Sequence, residues 1–205
     1  MQRDLYKQTS CVILSAGSSG RMGTHKALLA YNGELNFLQQ ITTAYSQAGI
    51  EEIIVVANAA LEKIIRQTGM PLPHQVKLVV NNKPARGRFY SLQTGLKVVS
   101  PGHSCFFQNI DNPFVTRETL DKMIRCSEKA DVVKPCFGEK SGHPVLVGPP
   151  VIRAIIAETD FTNRIDAFLH GYTLLKVDIQ DTRILANINQ PADYGKAGFE
   201  VEFPD

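Results

Sequence analysis

The segment "VILSAGSSGRMGTHKALL" (residues 12–29) joins an apolar run to a loop that is rich in glycine, serine and basic residues. The apolar run ends at Ser15, and three glycines follow it: Gly17, Gly20 and Gly23. Glycine allows close approach of the backbone to a ligand, and successive backbone N–H groups can then surround an anion. Ser18 and Ser19 add hydrogen-bond donors, and Arg21 and Lys26 add positive charge. The segment predicts a triphosphate-binding loop after a buried strand. An ordinary glycine-rich turn is the alternative.

Strand-like and helix-like segments alternate along the rest of the chain. Apolar runs without polar alternation predict strands at 11–16, 52–58, 76–82, 105–111, 131–135, 143–148, 173–179 and 183–188. Helical spacing of apolar residues predicts helices at 35–49, 61–69, 90–99, 117–130 and 150–157. Such strands belong in a sheet that is covered on both faces, so the pattern predicts α/β layers with right-handed crossovers.

Composition excludes several classes of protein. The chain has 205 residues and a net charge of +2, and it lacks the long basic runs of a nucleic-acid-binding surface. No apolar run approaches the length of a membrane span, and residues 1–10 are too polar for a signal peptide. Cys11 and Cys105 border apolar runs, which predicts buried thiols. We therefore expect a cytoplasmic protein that binds neither nucleic acid nor membrane.

The opening loop resembles the signature A-G-x-S-x-R-M-G-x-x-K of the MobA-like nucleotidyltransferases. Seven positions match it in register: Ala16, Gly17, Ser19, Arg21, Met22, Gly23 and Lys26. The resemblance implies a three-layer α/β/α Rossmann-like nucleotidyltransferase domain with a mostly parallel, mixed central sheet. It implies that residues 14–26 bind a nucleoside triphosphate, with the backbone of Leu14, Ser15, Ala16 and Gly17 near the base. Arg21 and Lys26 would contact the phosphates as catalytic residues.

Two further segments are similar to nucleotide-side motifs of this family. "GRFYSLQTGL" (87–96) resembles G-x-x-x-S-L-x-x-G, which implies that Ser91 helps to hold the nucleotide; capping of a helix explains this serine equally well. "FQNIDNPF" (107–114) places Asp111 at the end of a strand, where Mg²⁺ often finds a carboxylate ligand, although an aspartate before Asn-Pro also favours a turn. The family has a metal-binding aspartate at this place, so Asp111 is expected to be both catalytic and a metal ligand.

The acceptor side is represented by three segments. Gly142-His143-Pro144 resembles a feature of molybdenum cofactor cytidylyltransferases, which implies that Gly142 and His143 bind the acceptor; a polar surface histidine is the alternative. "NINQPADY" (187–194) resembles the family's closing motif and places Asn189 at its second metal position, although Asn and Pro can simply form a turn, with Asp193 capping a final helix. "TDFTNR" (159–164) lacks both glycines of the G-D-x-G-x-R pattern of those relatives.

Together these motifs imply one domain over residues 1–205, with a nucleotide-binding half at about 10–115 and an acceptor-binding half at about 116–205. The implied reaction is Mg²⁺-dependent transfer of a nucleoside monophosphate to a phosphorylated acceptor, with release of pyrophosphate. The "LSAG" of residues 14–17 is closer to the L-A-A-G of cytidylyl enzymes than to the L-A-G-G of guanylyl enzymes, which favours CTP. Molybdopterin is the implied acceptor, and transient contact with a molybdoenzyme follows from it. Transfer to a sugar phosphate or another small phosphorylated acceptor, and nucleotide binding without catalysis, remain alternatives.

Overall fold

The computed structural model of the chain describes residues 2–17, 24–190 and 192–196. Its strands are β1 (Thr9–Ser15), β2 (Glu52–Ala57), β3 (Val76–Val80), β4 (Ser104–Asn109), β5 (Val132–Phe137), β6 (Lys140–Ser141), β7 (Val145–Val147) and β8 (Leu174–Asp178). Its α-helices are α1 (Gln2–Lys7), α2 (Phe37–Ala48), α3 (Ala59–Thr68), α4 (Gly87–Leu96), α5 (Arg117–Ile124), α6 (Pro149–Ala157), α7 (Ile165–Leu169) and α8 (Ala192–Lys196). None of the helices in these ranges is long and apolar enough to cross a membrane.

The strands form one mixed sheet in the order β3-β2-β1-β4-β7-β5, with β8 and the short β6 both paired to β5. Strands β1 to β4 are mutually parallel where they pair, and β8 is parallel to β5. Strand β7 runs antiparallel to both of its neighbours, β4 and β5. The mostly parallel, mixed sheet predicted above is confirmed.

The sheet is buried on both faces, which explains the unbroken apolar runs. In β1, Cys11 and Ile13 pack into the core beneath α2, whereas Val12 and Leu14 pack on the opposite face with residues of α4 and α6. Alternate side chains of one strand therefore serve two apolar layers, as the two-residue period of a strand requires. Cys11 and Cys105 have no exposed surface, so the predicted burial of both thiols is confirmed.

Local sequence signals fix where the helices begin. Asn36 caps α2 in a reciprocal arrangement with Gln39, in which each side chain accepts a hydrogen bond from the other residue's backbone N–H. The helix ends at Ala48, and the next residue, Gly49, has a φ of 99° in the left-handed region. Asn58 caps α3 through the backbone N–H of Leu61.

Several predicted elements differ from the observed ones. The strand predicted at 183–188 is wrong: residues Thr182–Leu185 form a 3₁₀ helix. The Asn112 amide donates to the carbonyl oxygens of Arg183, Ile184 and Ala186, which removes acceptors that a further strand would need. Helix α4 begins and ends three residues before the predicted 90–99, and the helix predicted at 117–130 ends at Ile124, beyond which the chain continues in tight turns.

A polar network ties the first two strands together at the amino edge of the sheet. Ser10 donates to the Glu52 carboxylate at 2.6 Å, and Ser100 donates to it from its backbone N–H at 2.9 Å and its hydroxyl at 3.0 Å. Burial acts to raise the pKa of Glu52, but these bonds and Lys77 at 3.0 Å lower it to about 2. His103 Nδ1 lies 2.9 Å from Ser10 Oγ. Because Ser10 is fully buried and donates to the carboxylate itself, this Ser-His-Glu group stabilises the fold and has no exposed nucleophile.

Candidate active site

The carboxyl ends of the parallel strands carry a row of polar side chains. Asn58 follows β2, Asn81 follows β3, Asn109 ends β4, and Asp111 lies two residues beyond it. The glycine-rich loop leaves β1 at the same edge, because Leu14 pairs with Asn109 and Ser15 pairs with Ala57. In open α/β sheets this edge is where ligands bind.

Lys26 joins the two residues that the sequence predicts as metal ligands. Its Nζ atom lies 2.6 Å from Asn189 Oδ1 and 3.4 Å from Asp111 Oδ2. The side chains of Lys26 and Asp111 are only 16% and 24% exposed, so this contact is shielded more than a surface ion pair. The fold therefore brings together residues that are 85 and 163 positions apart in the chain.

The loop that carries Asn189 is held in place by its own backbone. The backbone N–H of Ile188 donates to the carbonyl oxygen of Asp111 at 2.7 Å, which fastens the two segments side by side. Asp193 accepts hydrogen bonds from the backbone N–H groups of Asn189 and Gln190, at 2.8 and 3.0 Å. Asp193 is the second residue of α8, so it shapes the turn before the helix and is not the cap that the sequence offered as an alternative.

Asp111 offers a vacant acceptor to a cation. Its Oδ1 atom is buried and has no hydrogen-bond partner among the described residues. A buried carboxylate oxygen without a partner is costly, and a divalent cation would satisfy it. The described ranges contain no group of three or more His, Cys, Asp or Glu side chains that could hold a metal ion. One carboxylate with one amide oxygen fits Mg²⁺, which takes its remaining ligands from water and substrate phosphates.

The start of the glycine-rich loop is fixed by Asn58, which donates to the carbonyl oxygens of Ala16 and Gly17 at 3.3 Å each. Ser15 and Ala16 are buried and Gly17 is exposed. The side chain of Leu14 lies in the core, which leaves its backbone as the part that can face a base. Six residues of the predicted loop lie outside the described residues: Ser18, Ser19, Gly20, Arg21, Met22 and Gly23.

Ser91 is not a helix cap. It is the fifth residue of α4, and its hydroxyl donates to the carbonyl oxygen of Gly87 at 3.2 Å. The Asn81 amide donates to the same hydroxyl at 2.9 Å. The capping alternative is therefore wrong. Ser91 holds the helix start against the loop that follows β3, and its contact with a nucleotide stays a prediction.

Gly142 and His143 lie in the short connection between β6 and β7. A Cβ atom on Gly142 would come within 2.3 Å of the Ile184 carbonyl oxygen, so only glycine fits there. His143 Nε2 lies 2.7 Å from the Asn109 amide nitrogen, and Asn109 Oδ1 accepts a hydrogen bond from Arg88. Burial, with the positive charge of Arg88, lowers the pKa of His143 to about 4. The residue is half-buried and linked to the site edge, which is inconsistent with an ordinary polar surface histidine.

The segment 159–164 packs against the start of α4. Asp160 accepts from the backbone and hydroxyl of Thr162 in an exposed turn. The ring of Phe161 packs edge-on against Tyr90 with a centroid separation of 5.1 Å. The Arg86 guanidinium lies over both rings, at 5.2 and 5.3 Å. Aromatic packing thus holds this segment against the start of α4.

Sequence reasoning missed residues that support the site, chiefly Arg88 and three asparagines. The signal was present, since the second, third and fourth strands each run into an asparagine: Asn58, Asn81 and Asn109. An amide at a strand end can donate and accept at once, so it can fix the loops that surround a ligand. Arg88 carried no such signal, because a basic residue near a helix start is common on surfaces.

Comparison with protein families gives a match to the MobA-like NTP transferase domain over residues 11–175. The chain is 26% identical over 188 residues to the molybdenum cofactor cytidylyltransferase of Escherichia coli, covering 90% of this chain and 92% of that protein. It is also 26% identical over 196 residues to a probable molybdenum cofactor guanylyltransferase of Carboxydothermus hydrogenoformans, with the same two coverages.

Solved structures with the same fold include Rv0371c of Mycobacterium tuberculosis H37Rv. The TM-score is 0.78 at 22% identity, covering 93% of this chain and 97% of that one. A structure of the same protein in complex with manganese gives a TM-score of 0.72 at 21% identity, with the same coverages. These likenesses confirm the three-layer α/β fold.

Proposed function

Because the chain belongs to the MobA-like NTP transferase domain family and its relatives described above are nucleotidyltransferases, we propose that it transfers a cytidylyl group from CTP. The proposed acceptor is phosphorylated and is molybdopterin, and the reaction releases pyrophosphate. The observation that carries the proposal is the contact of Lys26 with both Asp111 and Asn189. A predicted phosphate-binding cation and two predicted metal-binding residues thus meet at one point of the sheet edge.

The residues support this chemistry mainly by position and charge. An oxygen of the acceptor phosphate attacks the α-phosphorus of the nucleotide, and pyrophosphate leaves from the opposite side. Lys26 neutralises negative charge on the phosphates, and Arg21 is proposed to do the same from the loop. A phosphate monoester is already ionised near neutral pH, so no side chain has to remove a proton. Asp111 and Asn189 would hold Mg²⁺, which when bound withdraws charge from the phosphate oxygens.

The choice of CTP is supported by the "LSAG" of residues 14–17 and by the cytidylyltransferase relative. The choice of molybdopterin is supported by the two relatives described above that are molybdenum cofactor nucleotidyltransferases, and by the resemblance of Gly142-His143-Pro144 to a feature of molybdenum cofactor cytidylyltransferases. By the same likeness, the product would pass to a molybdoenzyme.

The first test is thermal unfolding with CTP, GTP, ATP and UTP, each with and without Mg²⁺. A ligand at about 100 times its Kd stabilises a protein by about 2.7 kcal/mol, which raises the Tm of a chain of this size by about 5–10 °C. We expect such a rise with CTP and Mg²⁺, and expect Asp111→Asn to abolish it. Asp178→Asn, an exposed aspartate at the end of β8, is the matched control and should behave like the wild type.

The second test is release of pyrophosphate from CTP in the presence of molybdopterin or of simple sugar phosphates. Release with molybdopterin that depends on Asp111 would support the full proposal. Release of pyrophosphate only with a sugar phosphate would show that the acceptor is a sugar phosphate and would still support nucleotidyl transfer. Nucleotide binding without release for any acceptor would indicate a binding module and overturn the enzymatic proposal.

A further inference from the structure

The contacts among Arg88, Asn109 and His143 permit one direction of hydrogen bonding. A guanidinium can only donate, so the Asn109 atom that faces Arg88 is the carbonyl Oδ1. The amide Nδ2 of Asn109 then faces His143 Nε2 at 2.7 Å. Because an amide nitrogen donates, Nε2 must accept, and the ring proton of the neutral imidazole lies on Nδ1.

The Nδ1–H group of His143 is left without a partner. The Nδ1 atom is buried and has no hydrogen bond within the described part of the chain. A buried donor without an acceptor destabilises the fold. A ligand that brings an acceptor to Nδ1 would remove this cost.

The position of these hydrogen bonds in the fold indicates which ligand supplies the missing acceptor. Asn109 ends β4 two residues before Asp111, Arg88 is the second residue of α4, and His143 precedes β7. The bonds therefore cross from the nucleotide-side segments to the acceptor side, next to the proposed metal ligand. Asn109 lies between Arg88 and His143, and the positive charge of Arg88 still acts on the imidazole. An N–H donor and a positive charge in one polar cluster together complement a phosphate group.

We propose that Arg88 and Asn109 are positioning residues that fix His143 as a neutral Nδ1–H donor, and that this donor binds the acceptor's phosphate, whose negative charge the Arg88 guanidinium stabilises. The role of the phosphate rests on the proposed function, whereas the position of the proton follows from the hydrogen bonds alone. Because Nδ1 is covered, a small displacement of its neighbours accompanies binding.

The proton position is tested by long-range ¹H–¹⁵N correlation spectra of the imidazole groups, with His143→Gln to identify the His143 signals. We expect the Nδ1–H form in the wild type. Asn109→Asp replaces the donor by a carboxylate that only accepts, so the ring must present an N–H at Nε2. Arg88→Lys keeps a partner that only donates and should keep the Nδ1–H form. An Nε2–H wild type, or a tautomer unchanged by Asn109→Asp, overturns the proposal.

The phosphate contact is tested by titrating inorganic phosphate while following the His143 signals. We expect saturable shifts in the wild type and in Arg88→Lys, and binding weakened by about tenfold or more in Arg88→Gln, since a hydrogen bond to a charged group contributes about 1.5–3 kcal/mol. Arg153→Gln, an exposed arginine on α6, is the matched control and should bind like the wild type.

The outcomes separate this inference from the proposed function. If phosphate shifts other signals but leaves His143 unchanged, the acceptor contact is wrong even though the tautomer is correct. If the His143 signals respond to phosphate but no nucleotide binds, the proposed use of CTP is wrong, whereas the contact of His143 with phosphate is supported.

Discussion

Replacing Glu52 by glutamine should lower the free energy of unfolding by about the amount that the hydrogen bonds to the carboxylate contribute. The pKa of Glu52 falls from 4.5 to about 2 in the folded chain, because Ser10, Ser100 and Lys77 outweigh the effect of burial. A lowered pKa stabilises the fold above the unfolded-state pKa, and this stabilisation is lost as the pH falls towards the folded-state pKa. By linkage, the shift corresponds to about 3 kcal/mol at pH 7 and about 1.5 kcal/mol at pH 3.

The measurement is urea unfolding followed by circular dichroism at pH 7 and pH 3, for the wild type, Glu52→Gln and Glu51→Gln. Glu51 is the neighbouring residue and is exposed, so its replacement should change the free energy of unfolding by less than about 0.5 kcal/mol. We expect Glu52→Gln to lose about 3 kcal/mol at pH 7 and roughly half of that at pH 3. A loss that is equal at both pH values, or no loss at pH 7, would refute the reasoning.

Three further predictions address the site and the fold. Gly142→Ala should lower the free energy of unfolding by about 2–4 kcal/mol, because a Cβ atom would lie 2.3 Å from the Ile184 carbonyl oxygen. Urea unfolding measures this loss. The control Gly148→Ala, where the nearest atom is at 3.6 Å, should lose less than about 1 kcal/mol. Lys26→Met should tighten Mn²⁺ binding to the nucleotide-free protein, which electron paramagnetic resonance measures. The same variant should weaken CTP binding by about 10- to 100-fold in calorimetry. Unchanged affinities for both ligands would contradict the site described above. Asn36→Ala removes the cap of α2 and should lower the Tm by about 2–4 °C in a thermal scan, since such a cap contributes about 1 kcal/mol.

The sequence predicted the nucleotide side of the fold well because its signals are local. The apolar run at 11–16 contains most of β1, and the loop that follows carries its glycines and Lys26 within a few positions. The pairing of Asp111 with Asn189 was predicted only through the family resemblance, since 78 residues separate them in the chain and no local pattern connects them.

Failures occurred where a distant side chain decides local structure. Residues 183–188 read as a strand, yet the Asn112 amide takes their carbonyl oxygens and imposes a tight turn. Ser91 read as a cap because the start of α4 was placed three residues late. The partners of His143 could not be predicted at all, because they come from two segments that meet only when the sheet forms.

The antiparallel direction of β7 determines which segments of such a domain can vary in length and sequence. Because β7 runs towards the amino edge, α6 returns the chain to the carboxyl edge and delivers residues 158–164 beside the site. Residues 138–141, at the end of the β5–β6 hairpin, are exposed, and both they and residues 158–164 lie outside the crossovers that join β1 to β4. Both segments can therefore be lengthened or exchanged without altering the register of β1 to β4. Under the proposed function, we therefore expect grafts at these two segments to alter acceptor preference and to leave nucleotide binding unchanged.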